Sequence, residues 1–317
     1  MIGVRPPLLQ LPYDLLRWGF DTTFQEGLPP DEPEVLRLIA GLSWRVEAHL
    51  TPGRAALMLD EVRRLFRVSV RTAESAVREG YDLTMQSRLE ALVLPKLARE
   101  TIEEWVRVAG EVPTSGLVVV PHAGNLLLLV TALGLRIPDL VVYSARGIPP
   151  RPRRGIGAVG DTWINRHLAR ARAADEARLP VRWEQDPRAL AGHLAAGRVV
   201  VVAFDDRAWS RYVRIPLNER EALLSEEPWD LARSLGAPIT PATIRREHDK
   251  THLVRMGTPI PPDLPRYLAE VALPFLSTNP GHYAMWLAEC RMRAAMDDHP
   301  LFVDYAVDTR WMRWPER

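Results

Sequence analysis

Two short runs, Leu117–Val120 and Val199–Phe204, are apolar at every position and rich in β-branched valine. A strand with one wet face alternates apolar and polar residues, so runs like these fit strands covered on both sides. The first run leads into Pro121-His122-Ala123-Gly124-Asn125 and then an apolar helical stretch ending near Gly134. Asp139–Tyr143 reads as the next strand and Asp161–Ala174 as the next helix. Pro238–Arg246 and Thr251–Met256 read as two more strands, joined by a turn over Glu247–Lys250. Strands alternating with helices predict an α/β fold, a mostly parallel buried sheet flanked by helices. From Leu36 to Val108 the apolar spacing is helical and offers no strand, so a helical N-terminal region precedes the sheet. The expected organisation is an N-terminal extension over residues 1–50 and a single α/β domain over 51–317, with residues 51–110 as its helical front.

Composition removes several function classes. The 317 residues carry a net charge of +1, so no global field favours nucleic acid. One cysteine, Cys290, allows neither an internal disulfide nor a cysteine-built metal site. No apolar run approaches the ~18 residues of a membrane-spanning helix. Leu8, Leu9, Leu11, Leu15, Leu16, Trp18 and Phe20 nonetheless crowd one segment, which fits a surface helix or a peripheral membrane contact. Gly155-Ile156-Gly157-Ala158-Val159-Gly160 matches a dinucleotide fingerprint, but a proline- and arginine-rich stretch precedes it where a strand is required. His248 and His252 bracket the expected hairpin turn and read as solvated turn residues, with no metal site assigned.

The chemistry-bearing positions follow the strands. Ligands bind outside the carboxyl ends of strands in open α/β sheets, and a helix N-terminus there supplies N–H groups. His122 occupies such a place, where an imidazole can act as a general base. Asp205 and Asp206 follow the other valine run and lie at the equivalent end of that strand. Arg146, Arg151, Arg153, Arg154, Arg166, Arg170 and Arg172 face only Asp161 over their span. They form either a solvated basic surface or a site for phosphate or an acidic carrier protein.

Leu117–Asn125 resembles the first motif of the lysophospholipid acyltransferase superfamily, in the branch containing the late acyltransferases of lipid A biosynthesis. Further blocks resemble that branch in order and spacing: Leu190–Asp206, Val213–Leu217, Pro228–Pro241 and the ending Arg310–Pro315. The resemblance implies transfer of a fatty acyl group from a thioester of coenzyme A or acyl carrier protein to a hydroxyl of a lipid or glycolipid. It implies His122 as general base, and no bound cofactor or metal. The site residues expected are His122, Asp205 and Asp206 in catalysis and Gly124, Asn125, Arg146 and Arg207 in substrate binding. The expected location is cytoplasmic, with peripheral contact at the inner face of the cell membrane. One departure is plain. The family places a carboxylate five residues after the histidine, and that position is Leu127. Either another acid, Asp205 or Asp206, orients the imidazole, or His122 works alone. Alternatively, the dyad is broken and the fold binds acyl chains or lipids without turnover. Thioester or ester hydrolysis is the remaining alternative.

Overall fold

The computed structural model describes residues 52–144, 172–206, 209–247, 251–294 and 301–305. The 1–50 segment, the glycine motif at 155–160, Arg146, Arg207, His248 and the 310–315 ending lie outside them. Three helices open the described chain: α1 (Pro52–Phe66), α2 (Val70–Val93) and α3 (Arg99–Trp105). Ser69 starts α2 by accepting the Thr72 N–H at 3.1 Å, which satisfies one of the orphan donors of the first turn. Strands β1 (Val106–Ala109) and β2 (Gly116–Val120), helix α4 (Leu126–Gly134) and strand β3 (Leu140–Tyr143) follow.

After residue 171 come β4 (Val181–Glu184), α5 (Ala189–Ala195) and β5 (Val199–Ala203). The hairpin β6 (Tyr212–Leu217) and β7 (Arg220–Ser225) forms a separate antiparallel pair. Then α6 (Glu227–Leu235), β8 (Ile239–Arg246), β9 (His252–Met256), α7 (Leu264–Tyr267), α8 (Leu273–Thr278) and α9 (Pro280–Ala294) complete the order.

The main sheet has seven strands in the order β1-β9-β8-β2-β5-β3-β4. All neighbouring pairs are parallel except the β8–β9 hairpin, so the chain is α/β with a mostly parallel sheet. β2 and β5 are buried at every position, as runs without alternation require. Leu117, Val119, Val200 and Val202 share one cluster with Met58 and Val62 of α1 and Leu287 of α9. Val118, Val120 and Val201 turn to the other face, against Leu89 and Val93 of α2 and Leu128 and Leu133 of α4. The helical front therefore packs into the same cores as the sheet. Among the described residues, no helix is long and apolar enough to cross a membrane.

Two expectations need correction. The stretch read as helical through Val108 ends earlier, because Val106–Ala109 is an edge strand paired in parallel with β9. Four residues next to the helical Arg99–Trp105 are too few to display a period of their own. His252 is not a solvated turn residue. It is 4% exposed and bonded through Nε2 to Glu90 Oε1 at 2.9 Å.

Candidate active site

β2 and β5 are adjacent and in parallel register, with Val120 beside Ala203. Two residues beyond that pair, both chains leave the sheet at its carboxyl edge with His122 and Asp205. Pro121 has no N–H to continue the ladder, which helps release the chain at this point. His122 Nδ1 lies 2.8 Å from Asp205 Oδ1, and the His122 backbone N–H also donates to the carboxylate, at 3.2 and 3.3 Å. The Asp205 side chain is fully buried, while that of His122 is 24% exposed. With a carboxylate on Nδ1, that nitrogen carries the proton and Nε2 is the basic one.

Helix α9 completes the arrangement. Tyr283 donates its hydroxyl to Asp205 Oδ2 at 2.7 Å. Trp286 lies one turn further and stacks on the imidazole, with ring centroids 4.0 Å apart and planes 18° from parallel. One helix face thus fixes the second oxygen of the acid and the plane of the base. An imidazole that gains a proton between a carboxylate and an indole face is favoured electrostatically from two directions.

The loop after His122 is shaped by residues that do not reach outward. Gly124 has φ +71°, and a Cβ there would meet the Ile244 carbonyl oxygen at 2.6 Å. Its N–H donates to the His282 carbonyl at 3.2 Å. Asn125 caps α4, accepting the Leu128 N–H at 3.1 Å and donating Nδ2 to Glu90 Oε2 at 2.6 Å. Asn125 is buried, so its expected role as a substrate contact is replaced by one in holding the loop. Gly124 makes that same loop fit beneath Ile244.

Glu90 receives two further contacts, from Gln86 at 2.8 Å and His252 at 2.9 Å. Burial alone would raise this carboxyl; the charge of His252 and the hydrogen bonds from His252, Asn125 and Gln86 outweigh it and hold the group below the usual range.

The remaining sequence candidates divide clearly. Leu127 sits in the first turn of α4 and packs against the cluster around Val120, as a leucine should. Asp205 is the acid beside the imidazole. Asp206 belongs to the Tyr143 side, where it adds to the burial that pushes the Tyr143 hydroxyl upward. Tyr283, Trp286 and Glu90 were not singled out from sequence. The i, i+3 spacing of the two aromatics was the available signal for the first pair. Glu90 sits beside the apolar positions Leu89 and Val93, which hinted at a buried charge.

His282, on α9 beneath the same loop, provides a pH dependence. Burial is the main cause, followed by the charges of His252, Arg245 and Arg246, and together they push its pKa down to about 4. Its Nε2 accepts the Arg246 N–H at 3.1 Å, a role that needs the neutral ring. The unfolded chain binds a proton near 6.5 and the folded one near 4, so stability is fully present above ~6.5 and is lost as pH falls toward 4. The loss amounts to roughly 3 kcal/mol. Urea unfolding between pH 7 and 4 should show it, and His282→Gln should flatten the slope. An unchanged slope would remove this account.

No protein-family model matches the sequence, and no curated protein matches it significantly.

Proposed function

We propose that the protein is an acyltransferase that moves a fatty acyl group from a thioester, on coenzyme A or acyl carrier protein, to a hydroxyl of a lipid or glycolipid. The observation that carries this reading is the 2.8 Å contact between His122 Nδ1 and Asp205 Oδ1 at the carboxyl ends of two adjacent parallel strands. It supplies the carboxylate that Leu127 cannot. The resemblance of Leu117–Asn125 and the blocks after it to the lipid A late-acyltransferase branch supplies the reaction class.

In this mechanism the acceptor hydroxyl oxygen attacks the thioester carbonyl carbon while His122 Nε2 takes the hydroxyl proton. Asp205 and the Trp286 face stabilise the imidazolium. The electron pair of the carbonyl moves to its oxygen, for which the amides of Leu126 and Leu127, ahead of the Leu128 N–H that Asn125 caps, are the candidate donors. Collapse re-forms the carbonyl and breaks the C–S bond. The sulfur leaves with the proton returned from His122, so the products are an ester and a free thiol. In this reading Arg146 and Arg207 contact substrate, and the apolar segment around Trp18 brings the enzyme to the inner face of the membrane.

The test is mass spectrometry of wild type and His122→Ala incubated with acyl-CoA, acyl carrier protein thioester and a lipid extract of the source cells. The expected result is an acylated lipid that disappears in His122→Ala while the chain remains folded. Thioester loss without an acylated lipid would replace transfer by hydrolysis. Acyl binding with neither product would favour a non-catalytic lipid-binding role.

A further inference from the structure

We propose that Arg172 is the anchor of a phosphate-binding subsite beside the His122–Asp205 pair, and that the phosphate belongs to one of the two substrates. The guanidinium is half-buried at the carboxyl end of β3, where Nη2 donates to Ser144 Oγ at 2.7 Å. Its carbon lies 4.6 Å from the centroid of the Trp183 ring on β4. The group is therefore held by a hydroxyl and an indole face, neither of which neutralises it.

The carboxylates that sequence spacing would offer are engaged elsewhere. Residues 172–178 are helical, so Asp175 and Glu176 stand at the i+3 and i+4 positions where an ion pair with Arg172 would ordinarily form. Asp175 is buried and instead faces Thr131 Oγ1 at 3.3 Å. Glu176 accepts the Trp183 N–H at 3.0 Å. Glu184, at the end of β4, accepts the amides of Gln185 and Asp186 at 2.8 and 2.9 Å and contacts His193 Nε2 at 3.3 Å. Among the described residues, Arg172 has no acidic partner. Burial alone sets its electrostatics and presses its pKa below the usual arginine value. A cation taken partly out of water without a counter-ion favours an anionic ligand. Arginine's planar fork suits phosphate.

Position places the site near the same carboxyl edge of the sheet. Val142 pairs with Val201 and Ala203 pairs with Val120. Continued by two residues, the first register sets Ser144 opposite Ala203, roughly 10 Å across two strand spacings from Val120. His122 and Asp205 leave the same edge two residues later. Trp183 packs on the face of the sheet that carries Val120 and Ala203, while Tyr283 and Trp286 pack on the other, so the two sites meet only around the strand ends.

Whether the phosphate arrives on the thiol carrier or on the lipid rests on the acyl-transfer reading, so the experiment measures binding without turnover. Calorimetric titrations of the full chain would use coenzyme A against pantetheine, and dihexanoyl phosphatidic acid against dihexanoylglycerol. At least one phosphate-bearing ligand should bind about tenfold or more tightly than its phosphate-free counterpart, as a charge-assisted contact implies. Arg172→Gln should abolish that preference, and Arg172→Lys, which keeps the charge but loses the fork, should reduce it. A preference within the first pair assigns the donor, and within the second the acceptor headgroup. Equal binding within both pairs, or a preference unchanged in Arg172→Lys or Arg172→Gln, would overturn the subsite. His122→Ala should keep the preference. Arg172-dependent binding without any transfer would thus sink the acyltransferase reading alone, and transfer without the preference would sink the subsite alone.

Discussion

Asp205→Asn is expected to reduce acyl transfer by about 10³- to 10⁴-fold while the chain remains folded. The substitution keeps the shape but turns one carboxylate oxygen into an NH₂ group. Asp205 now accepts from His122 Nδ1, from the His122 amide and from the Tyr283 hydroxyl. If the new NH₂ faces the imidazole, Nδ1 must become an acceptor and the proton moves to Nε2, the nitrogen needed as a base. If it faces Tyr283, the imidazolium still loses its counter-charge. Both orientations cut kcat, and neither opens a cavity. Asp206→Asn is the internal control, because Asp206 belongs to the Tyr143 side of the loop. Its kcat should stay near that of the wild type. A loss below tenfold in Asp205→Asn would separate the acid from the chemistry and leave His122 acting alone.

The largest effect on stability is expected at Glu90. Glu90→Ala removes the acceptor of Asn125 Nδ2, Gln86 Nε2 and His252 Nε2 in one step. Buried polar groups stranded in this way cost far more than the net worth of their hydrogen bonds, so a destabilisation of about 3–5 kcal/mol is expected. Glu90→Gln keeps one acceptor oxygen and should lose less. Because Glu90 holds Asn125, and Asn125 starts α4 three residues after His122, the alanine variant should also weaken catalysis in the fraction that folds. Urea midpoints measure the first effect. A loss under ~1 kcal/mol would show that water replaces the carboxylate without penalty.

Both residues mark where local sequence reading succeeds and where it stops. The valine runs of β2 and β5 were legible because a strand buried on two faces leaves no polar alternation. The positions of His122 and Asp205 followed from lying just beyond those runs. That the two converge was not legible, since it depends on β2 and β5 being neighbours in register across 83 residues of chain. The family spacing directed attention to position 127, inside a helix whose leucines serve the core. The acid beside the imidazole follows the neighbouring strand, β5. β1 and β4 were missed because each is four residues with an arginine at the second position, whereas the equally short β3 is apolar throughout. His252 was misread because it borders the turn expected between two strands, while its partner Glu90 lies 162 residues away. Sequence neighbours give no warning of a contact that distant.

Helix α9 brings Tyr283 to the acid, Trp286 to the base and the His282 carbonyl to Gly124, and it packs on α1 and α2. During synthesis, then, His122 and Asp205 leave the ribosome long before the segment that aligns them. A nascent chain halted at residue 270 would already hold both reactive side chains, with neither indole nor phenol to set their geometry. Docking of α9 onto the first helices joins the two ends of the described chain and sets the site in the same event. Completion of the His122–Asp205 geometry is thereby tied to completion of the fold; under the proposed acyl-transfer function, an unfinished chain would not consume thioester.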